Sequence, residues 1–246
     1  MRIALMTDIH ANQEAFTACL GHADRNSIDR YVFLGDFVGY GADPGWVVDT
    51  AIAYVRRGAV AILGNHDAAV LADSSGMNEH AATAIAWTRT QLDDRQRNFI
   101  AGLPLFVEES DRLYVHASAQ EPDQWHYVLD IYAAAQSLVA TDASATFCGH
   151  THVPALFHMT SDSDFAGFEP VEREDIPLDR QHQWLAVIGA VGQPRDHNPA
   201  ACYAVLDEDR NTLTYVRVPY DIGTASRKIR AAGLPGMLAA RLVEGV

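Results

Sequence analysis

The chain has 246 residues, of which 48% are hydrophobic and 20% charged, a balance that excludes disordered and fibrous classes. Eighteen Lys and Arg against 32 Asp and Glu leave a formal net charge of -14; such a field repels nucleic-acid phosphates, so no nucleic-acid partner is expected. The widely spaced Cys19, Cys148 and Cys202 form no CxxC pair, no apolar span approaches about 18 residues, and Asp8 comes too early for a signal peptide's apolar region. A soluble, cytoplasmic, single-domain chain over 1–246, without membrane insertion, is expected.

Short apolar runs ending in polar or glycine-containing turns alternate with longer segments of helical spacing, an α/β rhythm. The run 3–6 predicts a strand, after which Asn12 caps a helix carrying Ala15, Phe16, Cys19 and Leu20. Residues 31–34 predict a second strand, followed by a loop through Gly39 and Gly41 and a helix that begins at Pro44 and stops at Gly58. A third run, 60–63, precedes two helices over 78–92 and 93–100, which end before Pro104. Further buried strands are predicted at 113–115 and 145–148, with a helix over 131–139 between them. From 155 onward the signals are strand-like, at 156–159, 184–188, 203–206 and 213–218, with a hairpin turn over 207–211. Residues 161–180, acidic and poor in apolar side chains, read as a surface excursion, and 225–246 as helical, broken at Gly233 to Gly236.

Metal-type side chains fall where these strands end. Asp8 and His10 follow the first, Asp36 the second, Asn65 and His66 the third, His116 the fourth, and His150 and His152 the fifth. In an open α/β sheet the loops beyond the carboxyl ends of the strands form the ligand crevice, so these groups are expected to converge. Imidazoles, carboxylates and a carboxamide oxygen together suit borderline or hard dications such as Mn, Fe or Zn, with no thiolate needed. A central carboxylate, most naturally Asp36, can bridge two such ions through its two oxygens. Taken singly, Asn65 also reads as a turn residue after Gly64, and His116 as a core histidine.

Taken in order, Asp8-Ile9-His10, Gly35-Asp36, Gly64-Asn65-His66-Asp67, Val115-His116 and Gly149-His150-Thr151-His152 resemble the DxH, GD, GNH[ED], lone-histidine and GHxH elements of the calcineurin-like metallophosphoesterases. The resemblance implies a four-layer α/β/β/α sandwich of two mixed sheets flanked by helices. It implies two divalent metal ions, one held by Asp8, His10, Asp36 and His152, the other by Asp36, Asn65, His116 and His150. Asn65 then also borders the substrate. The position of His66 implies a group that stabilises or protonates the leaving alkoxide, with Asp67 orienting its ring.

Residues 189–196 resemble a turn of small bacterial and archaeal phosphodiesterase members, where Arg195 would meet a substrate phosphate; its plain alternative is an ion pair with Asp196. Gly39-Tyr40-Gly41 lacks the arginine that protein serine/threonine phosphatases carry after their GD element, which argues against a phosphoprotein substrate. Ala11 replaces the glycine common after DxH. The implied activity is hydrolysis of a small-molecule phosphodiester by a metal-bridging hydroxide. Its rivals are hydrolysis of dinucleoside polyphosphates or phosphomonoesters at the same metals, and a non-catalytic binding or scaffold role on the same fold.

Overall fold

Strands with apolar residues on both faces need a cover on each side, and two stacked sheets with outer helices provide it. The computed structural model describes residues 1–72, 76–160, 162 and 164–246. One sheet holds β1 (Arg2–Met6), β2 (Arg30–Phe33), β3 (Val60–Ala61), β9 (Asp175–Pro177), β11 (Ala201–Asp207) and β12 (Thr212–Val218), in the order β3-β2-β1-β11-β12-β9. The other holds β4 (Phe106–Glu109), β5 (Arg112–Val115), β6 (Ala145–Cys148), β7 (Ala155–Thr160), β8 (Phe165–Phe168) and β10 (His182–Val187), in the order β4-β5-β6-β10-β7-β8. Both are mixed: β1, β2 and β3 run parallel in the first, and β5, β6 and β10 in the second.

Alternation decides which residues meet. Leu5, Val32 and Ile62 from the first sheet face Phe147, Leu156 and Trp184 from the second in the inter-sheet core. On the outer side of the first sheet, Phe33 and Tyr203 pack on α1 (Gln13–Arg25) and α2 (Pro44–Val55); on the outer side of the second, Leu113 and Leu185 pack on α6 (Ile131–Leu138). The expected four layers are therefore present. Two C-terminal helices, α7 (Ile222–Ala231) and α8 (Gly236–Glu244), pack with α4 (Glu79–Gln91) and cover Tyr40. No helix among the described residues is long and apolar enough to cross a membrane.

Asn12 caps α1 as expected, its Oδ1 accepting from Ala15 N at 3.1 Å, and its Nδ2 also donates to Gly192 O at 2.8 Å. Asn12→Ala removes a cap and leaves a buried carbonyl unpaired, together about 2–3 kcal/mol. The expected result is a lower urea midpoint at unchanged m-value.

The 161–180 stretch departs from its reading as a simple excursion, although positions 161 and 163 lie outside the described residues. It supplies an edge strand to each sheet: β8 pairs with β7 (Met159↔Phe165) and β9 with β12 (Leu213↔Ile176). Edge strands bury little, so an acidic, apolar-poor sequence can fill them. The third strand is shorter than 60–63, because Leu63 N leaves the ladder to bond Pro104 O at 2.8 Å. A helix, α3 (Asn65–Leu71), and the edge strand β4 have no counterpart among the predicted elements, being too short for their periodicity to register. α5 (Asp94–Ala101) follows α4 as expected.

Candidate metal centre

The ligand-type residues do not come from one open sheet. Asp8 and His10 follow β1, Asp36 follows β2 and Asn65 opens α3 after β3, all from the first sheet, whereas His116 follows β5 and His150 and His152 follow β6 in the second. Because parallel strands end on the same side, the carboxyl ends of both sheets deliver these loops to one place. The loops are then laced by backbone hydrogen bonds: His10 N to Asp36 O (2.9 Å), Gly149 N to His116 O (2.9 Å) and Gly192 N to Asp8 O (2.8 Å). Asp8, His10, Asp36, His150 and His152 all adopt the left-handed region, with φ between 48° and 67°. Each such non-glycine residue costs about 1–2 kcal/mol, a strain that persists where surrounding structure over-determines it.

The side-chain atoms converge in overlapping groups. Asp8, His10 and His152 offer ligand atoms that lie within 4.8 Å of one another, as do His10, Asp36 and His66, and as do Asp36, His116 and His150. The six Asp and His residues of the proposed ligand set are at most 5% exposed, and Asn65 is half-buried with Oδ1 at 3.1 Å from His116 Nε2. Asp36 Oδ1 accepts from His66 N (2.8 Å), so Oδ2 is the atom that faces both sides, 3.6 Å from His10 Nε2 and 3.5 Å from His116 Nε2.

Hydrogen bonding outside the cluster orients the rings. His10 Nδ1 lies 3.1 Å from Val38 O, His116 Nδ1 2.7 Å from Leu34 O, and His152 Nδ1 2.7 Å from Gln193 O. A carbonyl only accepts, so each Nδ1 carries the proton and each Nε2 points inward as a potential ligand, the arrangement seen behind metal-bound histidines. His10 Nε2 and His152 Nε2 consequently approach to 3.1 Å, and His152 Nε2 lies 3.1 Å from Asp8 Oδ1. Asp8 Oδ1 and His150 Nε2, both buried, have no hydrogen-bond partner among the described residues. Buried carboxylate oxygens and ring nitrogens crowded together with few donors among them fit cations, and a mixed N/O donor set fits a borderline dication.

Electrostatics point the same way. Burial pushes the His150 and His66 imidazoles down to about 3 and His152 to about 4, leaving them neutral at pH 7. Burial also works against His116, but the Asp36 carboxylate, helped by Asp8 and the Leu34 carbonyl, outweighs it and lifts this ring to about 9. For Asp36 and Asp8, burial opposes ionisation, yet His116 and His66 beside the first, and His152 and His10 beside the second, hold both carboxyls well below the usual range. Two ionised carboxylates beside mostly neutral, buried imidazoles make a donor set that suits a cation.

The other expected residues divide. His66 lies beside the cluster, its ring 4.8 Å from that of His10, with Nδ1 unpartnered among the described residues. Asp67 does not bond that ring. Its buried carboxylate accepts from Val38 N (3.2 Å) and Gly64 N (3.1 Å), tying together the loops after β2 and β3. Burial and the nearby Asp36 raise its pKa to about 7. Arg195 does not pair with Asp196, which bonds Arg217 instead. Its guanidinium donates to Gln193 Oε1 (2.9 Å) and lies over the Tyr40 ring, 5.6 Å from the centroid, beside the metal-type cluster.

Aromatic residues complete the surroundings. Tyr40 packs against both His10 (4.6 Å between centroids) and His66 (4.5 Å), and its place in Gly39-Tyr40-Gly41 is a usable signal. Trp125 stands edge-on to His116 at 5.8 Å, and Tyr127 stacks on His150 at 4.0 Å. Neither belongs to a motif, and no local pattern marks them.

Known proteins resemble the chain along its whole length. The calcineurin-like phosphoesterase superfamily domain matches residues 1–211. MJ0912, an uncharacterized protein of Methanocaldococcus jannaschii, is 33% identical over 250 residues, covering 99% of this chain and 98% of that protein. A metallophosphoesterase from Sphaerobacter thermophilus superposes with a TM-score of 0.89 at 35% identity, over 100% of this chain and 99% of its own. PH1004, a hypothetical protein of Pyrococcus horikoshii, shares the fold with a TM-score of 0.78 at 17% identity, over 100% and 98% of the two chains. With the family domain spanning most of the chain and buried His and Asp clusters at its centre, the protein belongs to the calcineurin-like phosphoesterase superfamily and is a metal-dependent phosphoesterase.

Proposed function

We propose that the protein is a dinuclear metal-dependent phosphodiesterase acting on a small organic phosphate ester. One ion is held by Asp8, His10, Asp36 and His152 and the other by Asp36, Asn65, His116 and His150, with Asp36 shared. The observation that carries this reading is the inward convergence of Nε2 atoms on two ionised carboxylates while each Nδ1 of His10, His116 and His152 is tied to a backbone carbonyl. A bound pair of dications supplies Lewis-acid polarisation of phosphoryl oxygens and neutralises charge that develops at phosphorus.

The chain's own residues do the rest. Arg195, with no carboxylate partner among the described residues and with Nε and Nη2 turned to Gln193 Oε1, offers its remaining N–H donors to a phosphate oxygen. His66, kept neutral by burial, serves the leaving oxygen as a hydrogen-bonding ring rather than as an imidazolium. Asp67 acts at one remove, holding Gly64 and Val38 so that Asn65 and the Asp36 loop keep their places.

Purified protein supplied with Mn²⁺ is expected to hydrolyse bis-p-nitrophenyl phosphate, to contain two metals per chain by elemental analysis, and to lose turnover on chelation. Full activity after complete metal removal would end this reading. A second expectation concerns protons. His116 holds its proton up to about 9, while His150 and His152 are already neutral, so metal binding at neutral pH displaces a proton from His116. The apparent Mn²⁺ affinity then rises about tenfold per pH unit from about 7 to about 9 and levels off above. Calorimetry in buffers of differing ionisation enthalpy reads that proton directly; an affinity flat across the interval removes His116 from the ligand set.

A further inference from the structure

The loop between β5 and α6 is built as a wall of the site. A 3₁₀ turn, Pro122–Gln124, is bracketed by Glu121 (φ 47°) and Trp125 (φ 56°), both left-handed. The loop is pinned by Ser137 Oγ, which accepts from Ala119 N at 2.9 Å, and by Ser118 Oγ, which accepts from Gln120 N at 3.0 Å. Strain in two non-glycine residues at one turn is retained where a particular side-chain placement is enforced. Here it presents Trp125 to His116 and lays Tyr127 on His150, ring planes 25° apart.

Tyr127 also lines a cavity of about 410 Å³ together with Ser118, Gln120, Glu121, His126 and Gln136. That volume suits a single small ligand. One face of Tyr127 is taken by His150, yet the residue remains 51% exposed, so its other face is open to a second ring. Of the polar groups lining the cavity, Glu121 and His126 pair with each other at 3.4 Å and Ser118 Oγ accepts from Gln120 N, which leaves the carboxamides of Gln120 and Gln136 to meet the polar edge of a ligand. A planar heteroaromatic ring with a hydrogen-bonding edge answers both features. The charge of -14 disfavours a polymeric nucleic acid as its carrier.

We propose that this cavity is a nucleobase subsite, so that the esters hydrolysed are those of small nucleotides, with the base stacked on Tyr127 and its edge read by Gln120 and Gln136. The proposal rests on the phosphodiesterase reading for its chemistry, but its binding test stands apart. Calorimetry on the manganese-loaded protein compares the 5′-methylenephosphonate analogues of AMP and of ribose 5-phosphate, which carry no cleavable ester. The adenosine compound is expected to bind about tenfold or more tightly, the scale of one base stacked on an aromatic side chain. Tyr127→Ala brings the ratio of the two affinities close to one, and Tyr127→Phe preserves it. Because Tyr127→Ala also unloads His150, a variant combining Gln120→Ala with Gln136→Ala, which leaves the ring contacts to His150 intact, is the second check; it lowers the same ratio severalfold.

Equal affinity for both compounds in the unaltered protein, or a ratio untouched by all these changes, overturns the subsite. Parallel turnover of bis-p-nitrophenyl phosphate separates the two claims. Base discrimination without turnover keeps the subsite and sinks the phosphodiesterase reading, and turnover without discrimination does the reverse.

Discussion

Asp36→Asn is expected to lower turnover of bis-p-nitrophenyl phosphate on the order of 10³-fold while leaving the far-ultraviolet circular dichroism unchanged. The carboxylate is the contact common to both sides of the cluster: Oδ2 faces His10 and His116, and Oδ1 accepts the His66 backbone N–H at 2.8 Å. An amide is close in shape but neutral, and it has only one oxygen. If that oxygen keeps the His66 bond, an NH₂ group is turned toward His10 and His116 where the carboxylate oxygen Oδ2 had stood. Loss of metal-derived stabilisation is worth several kcal/mol, and each 1.36 kcal/mol is a factor of ten in rate. Elemental analysis should find fewer than two metals in the purified variant. Full metal content with undiminished turnover would remove Asp36 from the shared position.

Gly64→Ala is expected to destabilise the fold by about 3 kcal/mol, the upper end for overpacking a tight site, which for a chain of this size is roughly a 6–12 °C drop in Tm. A Cβ at position 64 would stand 2.2 Å from both Asp36 N and Asp36 Oδ1. These are a backbone atom and a carboxylate oxygen held by hydrogen bonds, and neither can swing aside as the end of a flexible chain would. The strain would be relieved by parting the loops after β2 and β3, which displaces Asp36 and Asn65 together. Scanning calorimetry with and without Mn²⁺ reads both consequences: a lower Tm in the metal-free protein and a smaller increase on metal addition. An unchanged Tm would mean that the two loops yield at no cost.

Legibility in the sequence followed local physics. The Asn12 cap, the Pro44 start of α2, the Asp207 to Asn211 hairpin and the central strands were readable because each is decided by a few neighbouring residues or by a strong apolar run. The strands β8 and β9 were not. Their pairing depends on sheet edges contributed by β7 and β12, and an edge strand needs only one neighbour and little burial. The motif locates Asp67 but not its contact, since Val38, whose amide it accepts from, is distant in sequence and near only once β2 and β3 are side by side. Arg195 and Asp196 are adjacent in the chain, yet the backbone directs them to different partners, Gln193 and Arg217.

The order of Asp8, His10, Asp36, Asn65, His116, His150 and His152 at strand ends, through its resemblance to the calcineurin-like motifs, was enough to point to a metal-dependent phosphoesterase, because residue type and strand-end position are local properties of the chain. Only the tertiary structure decided which of the two sheets supplies each of these residues, that Asp36 turns a single oxygen toward both sides, and that Trp125 and Tyr127 wall the site. Those outcomes depend on how the two sheets stack and on which backbone carbonyl each ring nitrogen finds, interactions between segments far apart in the chain that no local pattern encodes.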